Sequence, residues 1–416
     1  MELSFGLGTG SQSVSVPEEN LLGVLHMNPA VPERTGQEAV RFALENPIGL
    51  PRLSEILPKN EKIAIVTSDI SRPCPSWEIL PPLLAELERA GADLANVTLV
   101  FGLGSHRHQT EAEMRHLVGD AYDRIRCVDS DCNDCVRMGV TSRGTPVDVT
   151  RTVAEADFRI CLGNVEYHYF AGYSGGAKAI MPGVSSRDAI QANHRLMVRN
   201  DACAGRLEDN PLRQDIEEAG RICGIHYIVN VVLDEHKQII FAAAGDSVAA
   251  HRALCRYLDT LYRKPIPKQA DIVLVSQGGA PKDLNLYQTQ KALDNAKHAV
   301  RPGGIIILIG SCKEGLGEKC FERWIQEAKC SHDLIDRVQA HFELGGHKAA
   351  AIAMVLENAR IFLVSEMDPA LVKKCFLEPY SSAQQALTDA FGILGPKATV
   401  LAMPYGGSTL PIAENK

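Results

Sequence analysis

The chain has 416 residues, 45% of them hydrophobic and 6% aromatic, with 34 glycines and a formal net charge of −8. This length exceeds what one typical hydrophobic core serves, so we expect a globular enzyme with two α/β domains. The acidic balance without a basic stripe excludes a nucleic-acid binder. With no signal peptide and no run approaching the roughly 18–20 apolar residues of a membrane span, we expect a cytoplasmic protein without a membrane partner.

Short apolar runs alternate with amphipathic stretches, a pattern typical of βα units with largely parallel sheets. The predicted strands, in chain order, are Lys62–Thr67, Val97–Phe101, Phe158–Leu162, Tyr227–Val232, Ile272–Ser276, Gly304–Ile309, Ile361–Ser365 and Thr399–Met403. Helices are predicted at Ser76–Ala90 and Thr110–Leu117, where Thr110 and Glu113 suit a capping box.

The segment Tyr262–Gln269 holds two prolines and three basic residues between a predicted helix and a predicted strand. We interpret it as a linker between domains. The first domain is then expected over residues 1–265, joined by the C-terminal tail 404–416. The second domain is expected over residues 270–403.

The twelve cysteines show no disulfide framework, so we expect reduced thiols. Cys132 and Cys135 form a C-x-x-C pair. A structural zinc site usually needs a second pair or nearby histidines, and neither is present, so a plain surface loop is expected here.

Polar side chains follow the ends of predicted strands in both domains. They are Asp69 and Arg72, His106 and His108, His168, and in the second domain Gln277 and Lys282. In parallel α/β sheets, ligands bind beyond the carboxyl ends of the strands. The sequence therefore predicts a site in a cleft between the two domains.

The turn Gly172–Ala179 (GYSGGAKA) superficially resembles a phosphate loop. It has Ala177 where that motif has its last glycine and Ala179 where the motif has serine or threonine. The backbone amides of Ser174–Ala177 are predicted to hold one phosphate, which leaves Lys178 for covalent chemistry. The alternative is a glycine-rich turn with a solvated lysine. His168 precedes this lysine by ten residues and His194 follows it by sixteen, which favours a reactive site.

Other candidate groups have equally plain alternatives. Asp69 and Arg72 suit either an anionic ligand or a local ion pair at a helix start. Gly102–His108 lacks the third glycine of a dinucleotide fingerprint, which disfavours an NAD-dependent dehydrogenase. A single catalytic histidine, His106, is a better functional interpretation of this stretch than a pair of metal-binding histidines. Gln288 and Lys291 share one face of a predicted helix and would hold a carboxylate or simply face water.

In this order, these motifs resemble the nickel-pincer-nucleotide-dependent lactate racemase family from about Lys62 to the C-terminus. The matching elements are Asp69-Ile70-Ser71-Arg72, Gly104-Ser-His106, His168 with Ser174-Gly175-Gly176-Ala-Lys178, His194, and Tyr287-Gln288 with Lys291.

The resemblance implies a cofactor, a pyridinium mononucleotide whose two thio-carbonyl arms and ring carbon hold nickel. It implies that Lys178 carries this cofactor covalently and that His194 is the protein's nickel ligand. The stretches Asp69–Arg72 and Ser174–Gly176 would contact the cofactor, so the first domain would bind it and the second would close the site.

The resemblance further implies a 2-hydroxy-acid racemase or epimerase with His106 and His168 as acid/base pair. The substrate would bind to Arg72, Tyr287, Gln288 and Lys291. Enzymes that make the cofactor are the expected partners, and monomer and homodimer are both open. The alternative is a non-catalytic relative that binds the nucleotide or a 2-hydroxy acid.

The stretch Leu344–Ala349 lacks the tryptophan that the lactate enzyme has there. We therefore expect a substrate larger or more polar than lactate, with Gly345 and Gly346 opening the pocket and His347 or Lys348 bonding to extra polar groups. The alternative is that the glycines merely precede a helix.

Overall fold

The computed structural model describes residues 1–58 and 61–413. The described chain forms two compact units. The central unit is Pro29–Thr260, and the terminal unit combines Met1–Asn28 with the chain from Leu261 onward. This grouping differs from the expected domain bounds, because the first 28 residues and the described part of the tail belong with the C-terminal region. Residues 414–416 of that tail lie outside the described residues.

The strands are β1 (Glu2–Leu7), β2 (Gly10–Ser15), β3 (Leu21–Val24), β4 (Ile63–Ser68), β5 (Val97–Gly102), β6 (Arg126–Asp129), β7 (Cys135–Val140), β8 (Pro146–Thr150), β9 (Phe158–Asn164), β10 (Tyr167–His168), β11 (Gly172–Tyr173), β12 (Tyr227–Leu233), β13 (Ile239–Gly245), β14 (Arg263–Ile266), β15 (Ala270–Ser276), β16 (Val300–Ile309), β17 (Ala359–Val364), β18 (Glu378–Tyr380), β19 (Val400–Met403) and β20 (Leu410–Ala413).

The α-helices are α1 (Gly36–Glu45), α2 (Leu53–Ile56), α3 (Ser76–Arg89), α4 (Glu111–Val118), α5 (Arg151–Ala154), α6 (Arg187–His194), α7 (Pro211–Cys223), α8 (Ala249–Tyr262), α9 (Leu286–Thr289), α10 (Lys291–Ala296), α11 (Lys319–Glu327), α12 (His332–Ala340), α13 (Gly346–Leu356), α14 (Pro369–Lys374) and α15 (Ala383–Leu394).

The central unit is built on a sheet with the strand order β13-β12-β9-β4-β5-β6, parallel except where β13 pairs with β12. Its inner strands are almost continuously apolar and buried, as expected for parallel strands covered on both faces. In the register, Ile63 lies between Val97 and Phe158. The carboxyl ends of β9, β4 and β5 are therefore neighbours, and the loops that leave them carry the candidate site residues.

The local signals of the central unit are confirmed. Helix α3 spans Ser76–Arg89, one residue shorter than predicted. Thr110 caps α4: its hydroxyl accepts from the Glu113 amide, while the Glu113 carboxylate accepts from the Thr110 amide. This reciprocal pair satisfies donors that a helix start would otherwise leave unbonded.

The terminal unit holds a second parallel sheet with the order β18-β17-β16-β15-β19-β3. The predicted linker Tyr262–Gln269 is corrected here. Helix α8 continues to Tyr262, and Arg263–Ile266 forms β14, which pairs with β20. A strand that contains Pro265 is compatible with this pairing because proline is tolerated at sheet edges.

The expectation of a plain loop around the C-x-x-C pair is also partly wrong. Cys135 opens β7, which forms an antiparallel pair with β8. Burial raises the pKa of the Cys135 thiol to about 11, which disfavours the thiolate that binds metals. None of the helices in the described ranges combines the length and apolar character needed to cross a bilayer.

Candidate active site in the central unit

The turn after β4 and the turn after β5 meet in a carboxylate–imidazole pair. Asp69 is almost fully buried, and its Oδ2 lies 2.5 Å from His106 Nδ1. The Ser71 hydroxyl donates to the other carboxylate oxygen at 2.7 Å. With Nδ1–H donated to Asp69, the neutral ring of His106 keeps its lone pair on Nε2, which can accept a proton.

The charge on Asp69 is stabilised where it stands. Burial by itself would raise its pKa, but the hydrogen bonds from His106 and Ser71 and the nearby Arg72 charge outweigh burial, and the pKa is lowered. An ionised Asp69 holds the His106 ring in one tautomer. Asp69 was predicted as a cofactor contact, so this pairing adds an orienting role that spacing alone did not reveal.

The second histidine after β5 has a different setting. His108 is exposed and lies 3.1 Å from Asp129, whose carboxylate also accepts from the Gln109 amide. Gln109 in turn accepts the Ile70 amide at 2.8 Å and so ties the two turns together. The geometry favours His106 over His108 as the catalytic candidate.

Arg72 borders a cavity of ≈ 160 Å³, whose wall also includes Ile70, Trp77 and His116. The Arg72 amide donates to the Asp69 carbonyl at 3.1 Å, which closes the turn. The backbone turn keeps Arg72 close to Asp69, and its charge acts on that carboxylate, whereas the cavity wall includes neither Asp69 nor His106.

The ring of Phe170 brings three predicted site residues together. Its centroid lies 4.4 Å from that of the His168 ring and 5.1 Å from that of the His194 ring. The Lys178 Nζ lies 5.7 Å from the same centroid. Phe170 was missed in the sequence analysis, although its position two residues after His168 in an aromatic run was a usable signal.

His168 lies on β10, which pairs with β11 just before the glycine-rich turn. The hydroxyls of Tyr167 and Tyr173 donate to Asp259 of α8 at 2.7 and 2.6 Å and anchor this ribbon. His168 Nδ1 accepts the Ala171 amide at 3.2 Å. In that arrangement the neutral ring carries its proton on Nε2, the opposite tautomer to His106.

Lys178 lies in a short 3₁₀ helix, Gly176–Ala179, and is partly buried. Burial lowers the pKa of its amine well below the usual range, and the guanidinium charges of Arg72 and Arg213 act in the same direction. Glu166 opposes them. A lowered pKa favours the neutral, nucleophilic form of the amine, which suits covalent attachment.

The predicted phosphate cradle is corrected for two of its amides. The Ser174 amide donates to the Glu166 carbonyl at 2.8 Å, and the Gly176 amide donates to Asn230 Oδ1 at 2.7 Å. The Ser174 hydroxyl is engaged as well, with the Asn164 carbonyl and the Glu166 amide. These groups hold the turn in place. Cofactor contact by Ser174, Gly175 and Gly176 stays a prediction.

His194 ends α6 and is buried. Within residues 1–58 and 61–413, no group of three or more His, Cys, Asp or Glu side chains is arranged to hold a metal ion. A metal at His194 would therefore need its other ligands from a bound cofactor. An imidazole completing a sulfur-rich set is reasonable for Ni(II). The lowered pKa of Lys178 and the nearby guanidinium charges of Arg72 and Arg213 fit a phosphate-bearing cofactor that reacts with an amine.

The predicted substrate residues Tyr287, Gln288 and Lys291 belong to the terminal unit. The continuous helix expected there is wrong: α9 ends at Thr289 and α10 begins at Lys291, with Gln290 between them. Gln288 and Lys291 thus belong to separate short helices, of which only α9 is capped by the Asn285 side chain. Their role in binding substrate stays a prediction.

The glycine pair at the start of α13 is closely packed and leaves no room for a side chain. A Cβ on Gly346 would lie 2.2 Å from the buried Trp324 ring, and one on Gly345 would lie 2.0 Å from Glu318. His347 Nδ1 accepts the Gly345 amide at 3.1 Å, and Lys348 Nζ lies 3.7 Å from Asp294. These contacts favour the plain alternative: Gly345 caps α13, Gly346 is its first residue, and both allow close packing.

The similarity to known proteins extends over nearly the whole chain. Residues 7–205 match the lactate racemase N-terminal domain family and residues 266–410 match the lactate racemase C-terminal domain family. The chain is 32% identical to a lactate racemase of Thermoanaerobacterium thermosaccharolyticum, over 97% of each chain. It is 31% identical to a lactate racemase of Lactiplantibacillus plantarum, over 95% of this chain and 96% of the relative.

The solved structure of the lactate racemase apoprotein from T. thermosaccharolyticum superposes with a TM-score of 0.88 at 31% identity, covering 99% of this chain and all of that one. The expected α/β architecture with largely parallel sheets is confirmed.

Proposed function

The chain belongs to the lactate racemase family of isomerases, and on that premise we propose that it inverts the C2 centre of a 2-hydroxy acid by hydride transfer. The observation that carries this proposal is the pair formed by the buried Asp69 and the partly exposed His106, which holds a ring nitrogen ready to accept a proton. A protein that only binds a ligand has no need of such a pair.

The chemistry explains why a base alone would not suffice. The hydrogen on the carbinol carbon of a 2-hydroxy acid is very weakly acidic, so its removal as a proton faces a high barrier. Its removal as hydride, while a base takes the hydroxyl proton, leaves a planar 2-keto acid. Return of the hydride to the opposite face of this keto acid inverts the centre.

In this proposal His106 accepts the hydroxyl proton of one enantiomer at Nε2, and Asp69 stabilises the imidazolium that results. The other enantiomer presents its hydroxyl on the opposite side, where we assign the proton transfer to His168. To act as a base through Nε2, the His168 ring must first lose the hydrogen bond that Nδ1 accepts from the Ala171 amide. The reason is that Nδ1 must carry the ring proton when Nε2 accepts a proton from the substrate. Arg72 would hold the substrate carboxylate.

We assign Lys178 as the covalent attachment point of a nickel-pincer nucleotide and His194 as the protein's ligand to its nickel. When bound, this group supplies the centre that accepts hydride from C2 and returns it. The support in the protein is the lowered pKa of Lys178 and the buried imidazole of His194 at the same Phe170 ring.

The decisive experiment is intact-mass and peptide mapping after co-expression with the enzymes that make the cofactor. We expect nucleotide mass on the peptide that contains Lys178, together with interconversion of D- and L-hydroxy acids. Nucleotide mass on a different lysine would overturn the attachment. A tethered protein that racemises no 2-hydroxy acid would instead identify the non-catalytic relative.

The substrate within this class is decided by a comparison of 2-hydroxy acids. The relatives are named for lactate, whereas the preference for a larger or more polar acid rested on Gly345–Lys348, which the fold uses internally. A panel of lactate, 2-hydroxybutyrate, phenyllactate, malate and gluconate tests that preference. A clear preference for lactate would contradict it.

A further inference from the structure

A buried cationic network lies beneath the turn that carries Lys178. Arg213 on α7 is fully buried, which is unusual for a guanidinium. Its Nε donates to Glu217 Oε1 at 2.7 Å, and Glu217 is also paired with Arg252. The carboxylate compensates part of the buried charge, so the arrangement is a formed network and not an accidental burial.

The outer edge of the Arg213 guanidinium faces the backbone of the turn. Nη1 lies 3.2 Å from the Tyr173 carbonyl oxygen and 3.5 Å from that of Gly175. Nη2 lies 3.0 Å from Nδ1 of His251 on α8. One guanidinium therefore holds two carbonyls of the turn and one imidazole.

His251 holds the carbonyl between those two. Its Nε2 lies 2.8 Å from the Ser174 carbonyl oxygen, so Nε2 carries the proton and Nδ1 accepts from Arg213. Burial lowers the pKa of His251 well below its usual range, and Arg213 adds to this effect, so the ring stays neutral. Successive carbonyls from Tyr173 to Gly175 are thus held by two buried side chains.

Gly176 makes this close approach possible. A Cβ there would lie 3.0 Å from both Arg213 Nη2 and His251 Cδ2, and the residue has φ of +59°. Either restriction alone disfavours a side chain at this position.

From this geometry we propose that Arg213 and His251 are positioning residues that fix the backbone of Tyr173–Gly176, and that the Arg213 charge held in this network tunes the reactivity of Lys178. The proposal builds on the assignment of Lys178 as the attachment point. Its test uses the protein without cofactor, so it can fail while the attachment stands, and the reverse also holds.

The test is trace acetylation of Lys178 with acetic anhydride between about pH 6 and pH 10, with exposed Lys397 as internal reference. The charges that act on Lys178 are Arg72 and Arg213, which lower its pKa, and Glu166, which raises it. Arg213→Gln removes one cation, so we expect the midpoint of the labelling profile to rise by about one pH unit.

Arg213→Lys separates charge from geometry. It keeps the cation but cannot hold both carbonyls and the imidazole at once, so the midpoint should stay near that of the unchanged protein. Hydrogen exchange of the amides from Ser174 to Ala177 should become at least about tenfold faster. Arg221→Gln, at an exposed position on the same helix α7, is the matched control and should leave both measurements unchanged.

An unshifted midpoint in folded Arg213→Gln protein overturns the effect on reactivity, and unchanged exchange in Arg213→Lys overturns the positioning. Should Arg213→Gln fail to fold, His251→Gln replaces it: loss of the imidazole should again accelerate amide exchange, and unchanged exchange would overturn the proposal.

Discussion

Two lysines of this chain follow a pair of glycines, and their surroundings are opposite. Lys178 comes after Gly175-Gly176 in the central unit, where burial lowers the pKa of its amine and the guanidinium charges of Arg72 and Arg213 lower it further. Lys348 comes after Gly345-Gly346 in the terminal unit, where its Nζ lies 3.7 Å from the buried Asp294. The glycine–lysine spacing alone therefore does not specify a reactive amine; the charges that tertiary packing places beside it do.

The glycines differ in the same way. Gly176 admits Arg213 and His251 to the backbone of a turn with reactive neighbours, whereas Gly346 admits the Trp324 ring to a helix start. The Gly175-Gly176 pair allows close packing around a candidate site, and the Gly345-Gly346 pair allows close packing around the buried Trp324 ring. A glycine next to a lysine therefore does not by itself mean open space for a ligand, because a neighbouring ring can fill that space.

The largest expected effect comes from removing each lysine in turn. Lys178→Ala should abolish covalent attachment and lower racemisation by at least about 10⁴-fold, because the hydride-accepting group is no longer held. Lys348→Ala should retain attachment at Lys178. Intact mass and chiral product analysis measure both. Covalent nucleotide on the Lys178→Ala protein would break the contrast between the two lysines.

The next effect concerns the acid/base pair in the central unit. His106→Gln should lower racemisation in both directions by roughly 10²–10⁴-fold, since each turnover uses both histidines. Asp69→Asn should lose activity to a similar extent, because an amide no longer holds the same tautomer of His106. His108→Gln, at the exposed imidazole beside Asp129, is the control and should stay close to full activity. A fully active His106→Gln enzyme would transfer the role to His108.

The stability of the terminal unit tests the Lys348–Asp294 ion pair. Lys348→Met leaves Asp294 buried without its partner and should lower the free energy of unfolding by about 3 kcal/mol. Lys348→Met combined with Asp294→Leu should recover most of that loss. Urea unfolding of both variants measures the difference, and equal stabilities would show that the ion pair does not matter.

The same variant carries a pH signature. Burial raises the pKa of Asp294, while Lys348 opposes that rise. A carboxyl whose folded pKa exceeds its unfolded value stabilises the fold at low pH and loses this contribution as pH rises through the folded pKa. In Lys348→Met the folded pKa rises further, so the loss of stability should be smaller near pH 5 than near pH 8. A loss independent of pH would argue against a buried charge at Asp294.

The smallest effects are expected at the glycines. Gly346→Ala places a Cβ against Trp324 and should lower the free energy of unfolding by about 1–3 kcal/mol while covalent attachment persists. Gly176→Ala should cost about 1 kcal/mol but reduce attachment at Lys178, because the turn must shift. Thermal unfolding and intact mass separate the two. Equal attachment in both variants would remove the functional distinction between these glycine pairs.

Much of this protein follows from local sequence. The buried strands could be predicted because parallel strands covered on both faces need continuous apolar runs, and the Thr110–Glu113 capping box needs only residues three apart. The motif from His168 to His194 was recognisable because its reactive residue types are close in sequence. Family membership followed from the order of such motifs.

Tertiary structure decided what each polar group meets. The Gly176 amide donates to Asn230, 54 residues away, and the Tyr173 carbonyl accepts from Arg213, 40 residues away. Lys348 pairs with Asp294 of another helix, and the proline-containing segment after Tyr262 became β14 through pairing with β20. Hydrogen bonds and ion pairs between distant segments depend on how the sheets and helices pack, and no local pattern records that packing. The sequence by itself therefore determined which residues are chemically capable, and the fold determined which of them are placed to react.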